Sequence, residues 1–288
     1  MRFYTIEYDQ KESVAVESEH GRLCRLSGMG IDVADMNHLI CEYDELCGKI
    51  QDCLMRNAGE RLDAKAVKVL APILVPGQDI ICLGVNYREH IEETKDALDF
   101  TKKTDAVYFS KRVNRCNDPG GVIPMYDFVD SLDYEVELGV ILGKDAFQVS
   151  AETAPDYIFG YTIINDVSAR NIQLKHQQWY RGKSLDGYTP MGPCIVTADE
   201  ISDPHNLDIS CLVNGKIRQN SNTGYMITTV EEAIAELSRG MTLKAGTILA
   251  SGTPGGVAMG MQPPAFLKKG DVVCCRIQEI GELTNTCG

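Results

Sequence analysis

The sequence predicts an α+β chain, predominantly β, with a small N-terminal α/β domain. Three observations predict it. A helical stripe is confined to the first seventy or so residues, short apolar strand segments follow it, and one pair of those segments is joined by a two-residue hairpin signal. Near the N-terminus, Phe3–Ile6 and Ser13–Val16 suit strands, and Gly21, Gly28 and Gly30 mark turns. From Asp35 to Ala58, Met36, Leu39, Ile40, Tyr43, Leu46, Ile50 and Leu54 recur at steps of three and four, which predicts one long helix or two. The Pro- and Gly-containing stretch from Ala71 to Gly77 interrupts this pattern. The expected division is therefore 1–72 as a small N-terminal domain and 73–288 as the main one.

Seven segments beyond the boundary suit strands: 79–85, 106–110, 134–142, 158–165, 207–213, 247–251 and 272–277. Asn214-Gly215, between Ile209–Val213 and Lys216–Gln219, predicts a primed turn. Thr229 with Glu232 three residues on has the form of a capping box, and Val230, Ala233, Ile234 and Leu237 line one face of the helix it opens.

Composition narrows the function. The chain has 288 residues, 44% hydrophobic and 24% charged, as expected of a globular protein with a sizeable core. Its net charge of −13, with no basic run to offset it, disfavours nucleic acid and anionic lipid as partners. No apolar stretch approaches the roughly 20 residues that span a bilayer, and the N-terminus has no signal-peptide core. The eleven cysteines are scattered, without the spacing of a zinc site or a disulfide framework. Reduced thiols in the cytoplasm are the expectation.

Four stretches carry residues suited to chemistry. In Asp133-Tyr134-Glu135-Val136-Glu137 the alternation of a strand puts Glu135 and Glu137 on one face. Two such carboxylates in a core need a cation, although the pattern alone reads first as a solvated face. The apolar segment Tyr157–Ile164 ends in Asn165-Asp166, where a third oxygen ligand would make a hard site suited to Mg²⁺, Mn²⁺ or Ca²⁺. Asp166 also fits as the cap of a helix starting at Val167, with Arg170 in a helix-face ion pair. His90 and Glu93, three residues apart, suit a general base with its orienting carboxylate, and suit an exposed ion pair as well. Ser251-Gly252-Thr253-Pro254-Gly255-Gly256 follows a strand. Its glycines admit a ligand close to the backbone, and the Thr253 hydroxyl suits a carboxylate, yet singly the stretch reads as a turn.

Taken in order, these pieces resemble the fumarylacetoacetate hydrolase family. The carriers are Asn86-Tyr87-x-x-His90-x-x-Glu93, Tyr108-Phe109-Ser110-Lys111, Glu135-x-Glu137, Asn165-Asp166-x-Ser168-Ala169-Arg170, Gly182-Lys183-Ser184, Gly252-Thr253-Pro254 with Gly256-Val257, and the ending Ile280–Thr286. They cover about Val75 to Gly288. The resemblance implies the family's mixed β-sandwich roll, usually as a homodimer. It implies that Glu135, Glu137 and Asp166 bind one Mg²⁺ or Mn²⁺, and that His90 and Glu93 activate water or move protons. It further implies that Lys183 is catalytic, and that Arg170, Gln173, Lys111, Gly252 and Thr253 surround a small-molecule 2-oxo acid. Such parts suit an enolate stabilised by the cation, with C–C hydrolysis of an acylpyruvate as the leading expectation. Oxaloacetate decarboxylation or tautomerisation, isomerisation of an unsaturated dicarboxylate, and a metal-stabilised binding protein without turnover are the alternatives. Arg112 departs from the family pattern, which commonly has Pro after the lysine. It fits either a surface position or an added cation for a second substrate carboxylate.

Overall fold

The computed structural model describes residues 1–94, 105–176 and 178–288. Its first seventy residues hold β1 (Arg2–Tyr8), β2 (Lys11–Ser18), β3 (Arg22–Arg25), α1 (Met36–Cys41), α2 (Tyr43–Met55), β4 (Arg61–Asp63) and β5 (Lys68–Leu70). The helical stripe is thus two helices that meet at Glu42, and its residues Met36, Leu39, Ile40, Leu46 and Ile50 are buried. After a stretch without regular structure come β6 (Ile80–Gly84), α3 (Arg88–Thr94), β7 (Val107–Lys111), β8 (Val122–Ile123), β9 (Leu132–Asp133) and β10 (Val136–Leu142). Next are β11 (Ile158–Asn165), β12 (Ser168–Ala169), α4 (Arg170–Lys175), α5 (Tyr180–Lys183) and β13 (Met191–Thr197). The chain closes with β14 (Asp208–Val213), β15 (Lys216–Asn222), α6 (Val230–Ser238), β16 (Ile248–Ala250), β17 (Val272–Ile277) and β18 (Gly281–Cys287).

Two large sheets make a mixed α+β roll, and β9 and β12 form a separate two-stranded pair. The larger runs β4-β3-β2-β1-β13-β11-β10-β16-β6-β7, with β5 also paired to β1, and the smaller runs β15-β14-β17-β18-β8. Strand β1 pairs with β13, opposing Phe3 to Ile195, so one sheet spans both sides of the stretch around residue 72. Strands β10 and β11 lie at its centre, and every residue of both is buried. Val136, Leu138, Val140, Tyr161 and Ile163 face the core shared with the smaller sheet. Ile141, Phe159 and Ile164 face the other way, into the core under α1 and α2. Burial on both faces is why these strands read as near-continuous apolar runs.

Local rules hold where they were legible. Asn214 and Gly215 both have positive φ, 52° and 74°, as a primed turn requires. The capping box of α6 is formed in both directions. Helix α4 starts at Arg170 with Ala169 as its N-cap, so Asp166 is not a helix cap.

Candidate active site

The central strands deliver their polar ends to one place. Seven Asp, Glu, Lys or Arg residues are buried among the described residues, and all seven belong to one cluster: Lys111, Asp133, Glu135, Glu137, Asp166, Arg170 and Lys183. Charges are buried only when paired, and six of these seven are, Glu137 being the exception. The Lys183 ammonium donates to Glu135 (2.5 Å) and Asp166 (2.6 Å). Arg170 donates from Nε to Asp133 (2.9 Å), from Nη1 to the Gln173 Oε1 (2.9 Å) and from Nη2 to Glu135 (2.6 Å). Lys111 donates to Asp166 (2.5 Å) and to the carbonyls of Val167 and Tyr188. All three ammonium protons of Lys111 have partners on that side, so it braces Asp166 from behind.

Glu135, Glu137 and Asp166 each present an oxygen within 4.8 Å of the others. Four buried carboxylates face three buried cations, which leaves one negative charge in excess. That excess falls on Glu137. Burial, with Asp166 and Glu135 facing it, pushes its carboxyl well above the ordinary range, and the Gly252 amide at 3.0 Å only partly relieves it. Burial acts the same way on Glu135, but Arg170 and Lys183 outweigh it and hold that carboxyl well below the ordinary range. Three converging oxygens with one uncompensated charge suit a hard divalent cation, so the residues present fit such an ion.

His90 is buried and lines the same cleft. Its Nδ1 lies 2.9 Å from Glu93 Oε1, and the other oxygen of Glu93 accepts from the Gly256 amide at 2.7 Å. With Nδ1 donating to Glu93, Nε2 remains as the basic nitrogen. The cleft is completed by Leu83, Gly84, Val85, Phe109, Gln173, Trp179 and Thr253. Val85 has φ +54°, a region that costs a β-branched residue of order 1–3 kcal/mol. Asn86 holds the bend: its side chain donates to Thr228 and Ser251 carbonyls and accepts from the Thr228 amide. Gly252, with φ +92°, is required at its position, because a Cβ there would lie 2.7 Å from that of Asn86.

The structure therefore gathers Glu135, Glu137, Asp166, His90, Glu93, Lys183, Arg170 and Gln173 around one cleft. Thr253 lines it, but its hydroxyl donates to Val136 O (2.9 Å) and accepts from Gln219 (2.7 Å). Arg112 points outward, 61% exposed, with Asp79 at 3.9 Å. Two residues that sequence reasoning missed hold the assembly together. Asp133 accepts from Arg170 and from the amides of Ala258 and Met259. Gln219 ties the Gly-rich loop to β10 through Thr253, Pro254 O and the Val136 amide. No local sequence signal marks Asp133 or Gln219 for these roles.

This constellation agrees with what the chain is similar to. Residues 79–287 match the family described as "Fumarylacetoacetate (FAA) hydrolase C-terminal". The chain belongs to the fumarylacetoacetate hydrolase family. It is 43% identical over 223 residues to "Oxaloacetate tautomerase YisK" of Bacillus subtilis, covering 77% of this chain and 73% of that protein. It is 41% identical over 226 residues to the mitochondrial "Oxaloacetate tautomerase fahd2" of Xenopus laevis, covering 78% and 69%. A fumarylacetoacetate hydrolase structure from Exiguobacterium antarcticum superposes with a TM-score of 0.86 at 36% identity, covering 100% of this chain and 99% of that one. The maleylpyruvate hydrolase of Sphingobium sp. SYK-6, in complex with manganese (II) ion and pyruvate, gives a TM-score of 0.80 at 27% identity, covering 100% and 98%. The chain is thus an enzyme of this family, with a buried carboxylate triad able to hold a metal. No helix among the described residues is long and apolar enough to cross a membrane.

Proposed function

We propose that the protein is a divalent-metal-dependent tautomerase that interconverts the keto and enol forms of oxaloacetate. One observation carries the reading: His90, paired with Glu93, lines the same cleft as the buried charged side chains Glu135, Glu137, Arg170 and Lys183. Relatives more than 40% identical bear the name oxaloacetate tautomerase, which favours this reading over the hydrolysis expected first. Glu135, Glu137 and Asp166 would hold one Mg²⁺ or Mn²⁺, which would supply Lewis acidity towards a 2-oxo acid.

The chain's own residues supply the proton chemistry. His90 Nε2 takes a proton from C3 of the keto form, and Glu93 stabilises the imidazolium that results. Handing that proton to the C2 oxygen gives the enol with no net change of atoms. Lys183 and Arg170, whose charges are fixed by Glu135, Asp166 and Asp133, set a positive potential where the enolate charge grows. Gln173, locked by Arg170, presents its amide to the same cleft.

The test is the ultraviolet decay of enol-oxaloacetate with and without Mg²⁺ or Mn²⁺. Metal-dependent acceleration with no release of pyruvate supports tautomerisation. No acceleration, together with pyruvate released from an acylpyruvate, would overturn it in favour of C–C hydrolysis. That second reading is favoured by the likeness to the maleylpyruvate hydrolase. A homodimer belongs to the same proposal and is checked by sedimentation velocity.

A further inference from the structure

Besides Thr253, five residues of the cleft take no part in the chemistry above: Leu83, Gly84, Val85, Phe109 and Trp179. None carries a charge. Trp179 immediately precedes α5, and its carbonyl accepts from the Lys183 amide at 3.2 Å, so the indole and the Lys183 ammonium rise from one helical turn. Phe109 meets the indole edge-on, with ring centroids 5.2 Å apart at 71°, and the Lys183 ammonium lies 5.3 Å from the Phe109 centroid. The indole is seated against bare backbone. A Cβ on Gly84 would lie 2.4 Å from its Cζ3. Gly84 does not have the positive φ that would demand glycine, so its lack of a side chain serves to admit the ring.

A substrate's carboxylate laid on the faces of these rings would lose water and meet their negative π surface. An alkyl group there is favoured by burial against aromatic surface. We propose that Trp179 determines specificity: its indole is the surface on which the part of the substrate beyond C3 packs. The class it selects is a 2-oxo acid whose C3 substituent is uncharged and apolar, with 4-methyl-2-oxopentanoate as the probe. The proposal rests on the 2-oxo acid reading above and extends it beyond oxaloacetate, whose second carboxylate must turn away from this wall, towards Arg170 and Gln173.

Titration calorimetry on the Mg²⁺-loaded protein tests it with two ligands. Oxalate has nothing beyond its chelating head, and 4-methyl-2-oxopentanoate adds a branched apolar tail. Trp179→Ala should weaken the branched acid about tenfold and leave oxalate within about twofold, in line with the burial of an alkyl group on an aromatic face. Gly84→Ala, which displaces the indole, should discriminate in the same direction. Trp179 is also the one tryptophan in the chain, so its emission reports on itself. In the unmodified protein that emission should shift with the branched acid and hold with oxalate. If Trp179→Ala fails to fold, the emission comparison and Gly84→Ala decide. Equal weakening of both ligands, no binding of the branched acid, or equal emission shifts would overturn the proposal. Oxaloacetate turnover is measured separately: a protein inactive on oxaloacetate that still discriminates the two ligands keeps the wall and loses only the tautomerase assignment.

Discussion

Along β10, β11 and α4 the cleft is cross-braced from within, whereas at α3 it is held by a few contacts to a loop. Glu135 alone binds both Arg170 and Lys183, and Asp166 binds both Lys111 and Lys183. On the other side, His90 is oriented by Glu93, which rests on the amides of Gly256 and Val257. The first half is therefore part of the fold's core, and its charges are set before any substrate arrives. The second half is an attachment whose loss costs the core little. Stability and catalysis should separate along this line.

Glu135→Ala tests it hardest. It strands Arg170 and Lys183 without their shared carboxylate, so a stability loss of about 3–5 kcal/mol is expected, with metal binding lost as well. Denaturant melts and Mn²⁺ titration measure both, and an unchanged midpoint would show that the network is not under tension. Removing the other half should do the reverse. His90→Ala should lower kcat by about 10²–10⁴ with melting temperature and metal affinity unchanged. A fall in metal affinity equal to that of Glu135→Ala would erase the distinction.

The pH dependence sharpens it further. In the metal-free protein Glu137 has its carboxyl raised by burial and by Asp166 and Glu135. The folded state therefore holds that proton more tightly than the unfolded chain does. Its stabilising share is complete below the ordinary carboxylate pKa and is lost as pH rises towards the raised one. A cation must displace the same proton, so apparent metal affinity should rise with pH across that window, by up to about tenfold per unit for one proton. Titrations in buffers of different ionisation enthalpy would reveal the release; no proton released would show Glu137 already ionised. The smallest effect belongs outside the cleft. Arg112→Ala should change stability by less than about 0.5 kcal/mol and leave KM for a dicarboxylate unmoved, because the side chain is mostly exposed.

How much of this was legible in the sequence follows from the range of the interactions. Periodicity, capping and turn chemistry act over a few residues, so α1, α2, α6 and the Asn214-Gly215 hairpin could be read directly. Strand β13 could not, since Gly192 and Pro193 within it read locally as breakers. Glu135, Glu137 and Asp166 were visible as acids at the ends of apolar strands. Their pairing with Lys111 and Lys183, across 55 and 17 residues for Asp166, was not. Asp133 and Gln219 reach amides 125 and 83 residues away, which no local pattern encodes. The resemblance implied Lys111 and Thr253 at the substrate; Thr253 lines the cleft with its hydroxyl on Val136 O, and the Lys111 ammonium is bonded to Asp166.

The pairing of β1 with β13 has a consequence for the molecule's surface. Strand β13 lies one strand away from β11, the strand that ends in Asn165-Asp166, and its residues Cys194, Ile195 and Val196 are fully buried. Without β1, the hydrogen-bonding row of β13 at Ile195 and Val196 would lie open, with apolar side chains along it, a template for adhesion between copies of the chain. The N-terminal strands thus act as a seal: they terminate the sheet in the short three-residue β4 and keep the strands beneath the cleft from becoming a sticky border.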